Sequence, residues 1–510
     1  MRLLPSGERA TLVELGNLAE VLAAEARLRE LVAAGEAPWD QVVDVIAAQR
    51  AVMLTHGPAD LRPAIAHALA ELSPELPRAD REVVIEVHYD GEDLAEVSEL
   101  TGLSPAQVIA AHTGTPWRVA FGGFAPGFAY LVGGDPRLRV PRRSSPRPRV
   151  PAGSVGLADQ FSGIYPTASP GGWQIIGRTD APLFDQDASP PALLSPGVRV
   201  RFRAVESLGA TPRPVPRAMP NSPGRALAVE HALFPITPQD RGRPGLAAVG
   251  VGTCGAADRR AYRQGALLVG NRQGEAALEI TAGQCTLQTH GTLTVALTGA
   301  PCPAEIDGHP VPMEHPLILP DGARLRLGAP SAGLRTYLSV AGGIDVPTVL
   351  GSRSFDTLGR LGPGPFNTGA LIPVGETPAG WGRAVLPQPP ELPQYLEPCD
   401  GGVLYYVPGP RDDWVEGLAG SRWRISPETD RVGARLIGDP LTRHDGELPS
   451  EPVVTGAIQV PPSGQPVLFL ADHPLTGGYP VAGVLTEESI DRAAQLSPGQ
   501  AVVLLPVAGW

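Results

Sequence analysis

The sequence predicts a mainly β protein, with a small α/β unit at the N-terminus followed by duplicated β-barrels. Two observations lead there. From Trp117 onward, short apolar runs such as WRVAFGGFAPGFAYL, WQIIGRT and VRVRFRAV alternate with Pro and Gly, the texture of short strands separated by turns. One phrase also occurs twice: LADQFSGIYP at 157–166 and LADHPLTGGYP at 470–480, following VPAGSVG (150–156) and VPPSGQPVLF (460–469). Two copies without a short period point to a duplicated barrel unit and not to a solenoid.

The elements follow in order. Residues 1–80 form the α/β unit. ATLVELG (10–16) reads as a strand. A helix follows, capped by Asn17, with Leu18, Val21, Leu22, Leu28, Leu31 and Val32 as its apolar stripe and Gly35 at its end. A second strand lies within 41–54 and a second helix at 60–72. Residues 81–205 form the first barrel unit. It opens on the strand REVVIEVHY and two short helices, the second with Ser104 as N-cap and Pro105 at its first position. Residues 206–224, rich in Pro and without periodicity, read as a linker. A β-rich unit spans 225–386, and a second Pro-rich boundary, PQPPELPQYLEP (387–398), opens the last unit, 387–510.

Composition excludes several functions. The net charge is −12 with both signs mixed along the chain, which favours solubility and argues against nucleic acid as a partner. There is no run of eighteen apolar residues for a membrane span, and no apolar stretch before the first charges for a signal peptide, so the cytoplasm is the expected location. The cysteines, Cys254, Cys285, Cys302 and Cys399, are far apart and form no CxxC, so they read as free buried thiols. All 41 basic residues are arginine. Without lysine there is no Walker phosphate loop, no Schiff base, no Ser-Ser-Lys amidase and no covalently attached biotin in this chain.

Several stretches carry candidate chemistry. GVGTCG (250–255) fits G-x-G-x-x-G, but Glu275 begins the following strand and the surroundings are antiparallel, so the glycines read as turn residues. PRRSSPRPR (141–149) is either a solvated loop or a clamp for a carboxylate or phosphate. QDRGRPG (239–245) and GSRSFD (351–356) place Asp, Arg and Gly in turns. Asp472 and His473 are adjacent, and adjacent strand residues point to opposite faces. If the repeated phrases are equivalent, Tyr165 matches Tyr479 and Asp159 matches Asp472.

Taken together, these stretches resemble a known pair of proteins. FAPGFAYL, RVPRRSSPRPRVPAGSV and GIYPTASPGGWQIIGRT are similar to the B subunits of the 5-oxoprolinase family, also labelled KipI or allophanate hydrolase subunit 1. QDRGRPG, LLVGN, AALEIT, RTYLSVAGGIDVPTVLGSRS, GAIQVPPSGQP and LTGGYP are similar to the C subunits, also labelled KipA or allophanate hydrolase subunit 2. The resemblance runs in order from about residue 8 to 500, as in a fusion of the two subunits. Three stretches depart from the pattern. CGAAD (254–258) stands where the family has Ser-Gly-Ala-Met-Asp, QFSG (160–163) replaces a Gln-Thr-Gly turn, and the segment after SRS is poorer in Gly-Gly.

The resemblance implies cyclophilin-like barrels and ATP-dependent hydrolysis of 5-oxo-L-proline to L-glutamate, with a separate 5-oxoprolinase A subunit of the LamB/YcsF type as partner. It also allows carboxyl transfer from carboxybiotin, as in urea carboxylase, or a KipI-like role in binding a histidine kinase. A homo-oligomer is compatible with any of these. For the oxoprolinase reaction, arginine must supply the cations for phosphate, and Arg142, Arg143, Arg147, Arg241 and Arg353 are the candidates. Mg²⁺ accompanies ATP, with Asp240, Asp258 and Asp472 as possible oxygen ligands and no resident metal. Catalytic candidates are Asp240, Arg353, Asp472, Tyr165 and Tyr479. Phe128, Tyr130, Gln160, Trp173, Arg178 and His473 complete the expected binding set.

Overall fold

The computed structural model describes residues 1–72, 81–209, 224–377 and 402–507. Most of the linker, the boundary at 387–398 and Cys399 lie outside them. The N-terminal unit is an antiparallel four-stranded sheet in the order 2–5, 10–14, 51–56, 42–47, covered by the helix Leu18–Ala34. Segment 41–54, read as one strand, thus supplies a hairpin. Asn17 caps the helix by accepting from the Glu20 amide (3.0 Å), and Gly35 closes it at φ 68°.

The two barrels share one winding. In the first, the strands 82–87, 117–122, 129–132, 154–158, 161–164, 174–178 and 199–204 form a seven-stranded sheet whose edges meet in a bridge between His88 and Arg178. The strands 402–408, 422–425, 433–437, 457–459, 467–469, 481–485 and 501–506 close the last barrel. Numbered along the chain, each runs 1-6-4-5-3-2-7 around its ring, and in each the first and seventh strands pair in parallel. The duplicated, cyclophilin-like, mainly β fold class is therefore present, and a shared circuit of seven strands marks it far more firmly than the repeated phrase.

Strand chemistry matches this geometry. Along 199–204 (RVRFRA), Val200 and Phe202 point into the barrel, while the arginines point out. Arg201 and Arg203 meet Glu82 and Glu86 on the parallel neighbour. In 422–425 (RWRI), Trp423 and Ile425 fill the other barrel in the same way. The first barrel also encloses His112, whose ring bridges the Tyr89 hydroxyl (2.7 Å) and Ser162 Oγ (2.9 Å). Burial pushes its pKa down to about 3, so it stays neutral as a polar staple in the core.

The repeated phrase itself is out of step with the duplication. In the first barrel it covers the hairpin between the fourth and fifth strands; in the last it connects the fifth to the sixth. Tyr165 is buried against Phe128, whereas Tyr479 is 46% exposed. Asp159 sits in a hairpin turn at φ 49°, bonded to Arg139 and Gln49, while Asp472 is fully enclosed. The expected equivalences Tyr165/Tyr479 and Asp159/Asp472 do not hold, because local sequence similarity arose one strand apart.

Between the barrels lies a two-sheet sandwich. One sheet has the order 309–310, 304–306, 324–327, 285–290, 226–232, 371–373; the other, 237–239, 277–281, 335–340, 293–299, 317–319. Leu227, Leu278, Leu287, Leu297, Leu325 and Leu338 are among the residues of its core. Helix Arg259–Leu268 packs on the second sheet, with Asp258 as its N-cap.

The N-terminal half is tightly docked on the rest. Asp44 accepts from the amides of Gly245 (2.9 Å) and Ala247 (3.0 Å). Buried Arg411 joins Glu14 of the N-terminal sheet to Glu451. The FGGFAPG loop (121–127) lies directly on 245–252: Gly127 N donates to Val249 O (3.0 Å), and a Cβ on Gly250 would fall 2.2 Å from Ala125 O. No described helix is long and apolar enough to cross a membrane.

Gly250 and Gly35 share a positive φ (79° and 68°), but only Gly250 has a neighbour within contact range. Gly35→Ala should cost about 1–2 kcal/mol from the backbone alone. Gly250→Ala should lose a further ~1–3 kcal/mol through the clash at the seam. Equilibrium denaturation of the two variants checks this; equal losses would mean the seam yields freely.

Candidate functional site

Three modules meet around one cleft of about 1360 Å³. The first barrel contributes Phe124, Ala125, Arg149 and the segment 167–170. The sandwich contributes Phe234, Thr281, Arg335 and the loop 355–360, and the last barrel contributes Thr429–Val432 and Pro474. Its walls are aromatic and proline-rich, with threonine hydroxyls between them. Four of the nine described non-glycine residues with positive φ lie here or directly beneath: Phe124 (66°), Cys254 (55°), Ala282 (58°) and Arg360 (52°). Such backbone costs on the order of 1–3 kcal/mol per residue and concentrates at functional sites.

Beneath the cleft lies a buried charge network. Arg431 forks onto both oxygens of Asp472 (2.9 and 2.9 Å), reaches Glu279 on the sandwich and donates to Gly255 O (2.7 Å). Tyr337 donates to Glu279 (2.7 Å) and accepts from the Asp258 amide (2.8 Å). Thr357 closes over Asp472 with its amide (2.9 Å) and hydroxyl (2.7 Å). Burial alone would raise both carboxyls. The guanidinium charge of Arg431, aided at Asp472 by Thr357 and at Glu279 by Arg335 and Tyr337, outweighs it and holds them below the usual carboxylate range.

Asp356 behaves in the opposite way. Burial, then the neighbouring Asp472 charge, raise its carboxyl, although the Leu358 and Gly359 amides donate to it (2.9 Å each). The Cys254 thiol hydrogen-bonds to it and is itself pushed well up by burial, so it keeps its proton. Cys254 Sγ and one oxygen each of Asp356 and Asp472 lie within 4.8 Å of one another. With Arg431 on both oxygens of Asp472 and a protonated thiol, this trio shares protons and is poorly suited to caging a metal.

The sequence-predicted residues divide sharply. Asp472 is in the network. His473 adjoins it, but burial lowers its pKa and its ring is held by Pro474 O (2.8 Å) and Thr455 (3.1 Å). Asp240 is a staple: it accepts from Ser352, Ser354 and the Arg353 amide (2.6 Å each) and from Gly242 (2.7 Å). Asp258 caps its helix and accepts from Gln495 (2.7 Å). Neither lines the cleft, and donors already fill both carboxylates, which leaves no open oxygen set for Mg²⁺.

Arg353 turns away to Val346 O and Asp345, and Arg241 is exposed outside the cleft. The arginine clamp is already closed internally: Arg143 and Arg147 both bind Asp93, which also accepts from the Ile175 amide. Arg142 and Gln160 are exposed and away from the lining, and Arg178 pairs with Asp90 on the surface. Phe128, Tyr130, Tyr165 and Trp173 form one aromatic cluster in the core. Burial pushes the Tyr165 hydroxyl up to about 12. Tyr130 also touches Thr476 and Ser450 of the last barrel, so it docks the halves. Tyr479 lies outside the cleft.

Sequence reasoning missed Arg360, Glu279 and Arg431, and it reached Arg149, Cys254 and Asp356 only as members of PRRSSPRPR, CGAAD and GSRSFD, without naming them as site residues. The available signal was the CGAAD departure and the Asp of GSRSFD.

Comparisons with known proteins agree with this architecture. Residues 249–506 match the model of the family described as carboxyltransferase domain, subdomain A and B; residues 1–194 match subdomain C and D. The C subunit of Escherichia coli 5-oxoprolinase is 38% identical over 283 residues, covering 54% of this chain and 89% of its own. The B subunit of Bacillus subtilis 5-oxoprolinase is 47% identical over 137 residues, covering 26% of this chain and 57% of its own, so the match spans little more than half of that relative. The crystal structure of TTHA0988 superposes with a TM-score of 0.85 at 34% identity, over 97% of this chain and 99% of that one.

Arg431→Gln should destabilise the fold by about 3–5 kcal/mol at pH 7, since it strands Asp472 as a buried charge without its cation, while Glu279 keeps Arg335 and Tyr337. In that variant the folded pKa of Asp472 rises above the unfolded one. Stability then increases as pH falls through the raised value, the reverse of the native ion pair, whose contribution is lost only below about pH 4. Denaturation at pH 7 and pH 5 tests the sign; a variant that loses stability on this acidification would refute it.

Proposed function

The chain belongs to the carboxyltransferase-domain family, and on that premise we propose that it is the joined B and C component of an ATP-dependent 5-oxoprolinase. The observation that carries this is the shared cleft. Its wall is built partly by the half similar to the B subunits and partly by the half similar to the C subunits, so neither half alone completes it. The reaction is the opening of 5-oxo-L-proline to L-glutamate. A lactam carbonyl resists water at neutral pH, and transfer of a phosphoryl group from ATP to its oxygen turns it into an electrophile.

That chemistry needs cations at the phosphates and protection from water. Arg335 and Arg431 are committed to internal acceptors. Arg149 and Arg360 are exposed to the cleft from opposite modules and are suited to grip an anion between the halves. Mg²⁺ enters as part of the nucleotide substrate. The aromatic and proline walls suit the apolar faces of an adenine and a pyrrolidone ring. The partner is a separate A subunit of the LamB/YcsF type. Carboxyl transfer would instead require biotin on another chain, because this one has no lysine to carry it.

The purified chain alone should release no glutamate from 5-oxoproline and ATP, and should gain that activity when the LamB/YcsF-type partner is added. Arg149→Gln with Arg360→Gln should then raise KM for ATP at least tenfold. Robust turnover without the partner, or none with it, would overturn the assignment.

A further inference from the structure

The seam between the sandwich and the last barrel carries a further pair of acids, outside the cleft lining. The short helix Glu487–Ala493 of the barrel abuts the first turn of the helix Arg259–Leu268 on the sandwich. Two carboxylates converge there. Asp258, buried, caps the sandwich helix from its own module and accepts from the Ala261 amide at 2.9 Å. Asp491, half-buried, comes from the barrel and accepts from the Arg259 amide, also at 2.9 Å. Gln495, one turn beyond Asp491, donates to Asp258 (2.7 Å) and accepts from the amides of Leu334 (3.0 Å) and Arg335 (2.8 Å). Both of those residues line the cleft.

The surroundings do not balance two negative charges. A helix N-terminus offers roughly half an elementary charge. Asp472 and Glu279, elsewhere on this seam, take guanidinium donors from Arg431, whereas Asp258 and Asp491 are held by amides. From the sandwich helix, the charges that bear on Asp491 are Asp258, Arg259 and Arg263. Behind Asp258 stand Glu279 and Tyr337, and Arg335 reaches across to Ala494 O. On the barrel helix, Glu488 is paired with Arg492, and Glu487 with Arg9 beside Glu8. The strands under that helix, 402–408 and 481–485, add only Tyr405 and Tyr406. Burial, then the Asp258 charge, raise the Asp491 carboxyl to about 7, against the Arg259 amide and the Arg259 and Arg263 charges. Burial raises Asp258 too, and the Glu279 charge adds to it.

We propose that Asp258 and Asp491 act as a proton-operated clasp between the sandwich and the last barrel, which holds the seam more tightly with one proton bound than with none. The clasp is independent of the oxoprolinase reading. Without the proton, two carboxylates crowd one N-terminus in a poorly hydrated seam, and their repulsion and lost hydration press the modules apart. With one proton taken up by the pair, Asp491 still offers an acceptor to the Arg259 amide, and one negative charge remains for the N-terminus to stabilise. The folded pKa of Asp491 lies above its unfolded value of 3.8, so stability rises as pH falls through about 7, and the gain is complete near pH 4. Gln495 carries the effect to Leu334 and Arg335, so the cleft is held most firmly on the acid side of neutrality.

Asp491→Asn in the full chain tests this, because its side-chain amide keeps an acceptor for the Arg259 amide and cannot ionise. At pH 8.5 the variant should unfold at least about 2 °C above wild type. At pH 5.5 that gap should narrow by roughly half, since folded wild type then holds the proton while its unfolded chain does not. Infrared difference spectra between the two pH values give a readout that packing alone does not move: wild type should gain a protonated-carboxyl band that the variant lacks. A variant no more stable than wild type at pH 8.5, a gap that stays constant with pH, or infrared spectra without that difference would each overturn the clasp.

Discussion

The architecture converges on the guanidinium of Arg431. It is buried where the sandwich meets the last barrel, and its three nitrogens reach three places: both oxygens of Asp472 in the last barrel, Glu279 on a sandwich strand, and the carbonyl of Gly255 beside the strained Cys254. An ammonium could not replace it, because a planar fork is needed to hold one carboxylate by two parallel bonds and still reach a second. Arg335 adds a second cation against Glu279 (3.4 Å), and Tyr337 closes the network from below. Ion networks of this kind add little net stability over an apolar core of the same shape. What this one does is fix the relative position of two modules at the floor of the cleft, and set Asp472 and Asp356 at different acidities.

The same constraint explains why two barrels of identical winding do different work. In the last barrel the connection from the fifth to the sixth strand dives inward and delivers Asp472 to Arg431. In the first barrel the equivalent connection, 165–173, instead buries Tyr165 and Trp173 in an aromatic cluster and leaves 167–170 on the cleft wall. The first copy has become a wall and a docking face; the last holds part of the charged floor. Duplication supplied the scaffold, and the loops between corresponding strands diverged in chemistry.

Much of the fold was legible in the sequence, and the reasons are local. The cap at Asn17, the stop at Gly35 and the cap at Ser104 each depend on residues three or four positions apart, and all are present. The strand texture and the family resemblance pointed to the barrels. The site was far less legible, because its bonds join distant residues. Arg143 and Arg147 look like an anion clamp until Asp93, some fifty residues earlier, is seen to fill it. Asp240 looks catalytic until two serines more than a hundred residues away occupy its oxygens. Cys254 looks like an ordinary buried thiol, and it is one; only its positive φ and its place beside Asp356 set it apart. Arg431 carries no local signal at all, since every partner it has is remote in sequence.

Joining the halves in one chain has a physical rationale in the seam. The cleft needs Phe124 and Arg149 from one side and Arg360 and Thr429 from the other, so any opening of the seam dismantles it. The seam is held by backbone contacts that admit no side chain at Gly250, by the two amides on Asp44, and by the buried Arg411 between Glu14 and Glu451. A buried apolar cluster of Leu12, Ile46 and Met53 with Ala247 and Leu475 accompanies them. On separate chains they would have to offset the loss of translational and rotational freedom on association. A covalent tether replaces that cost with an effective concentration on the order of millimolar. A strained floor, carrying several residues of left-handed backbone, is then held between halves that stay together whatever the protein concentration.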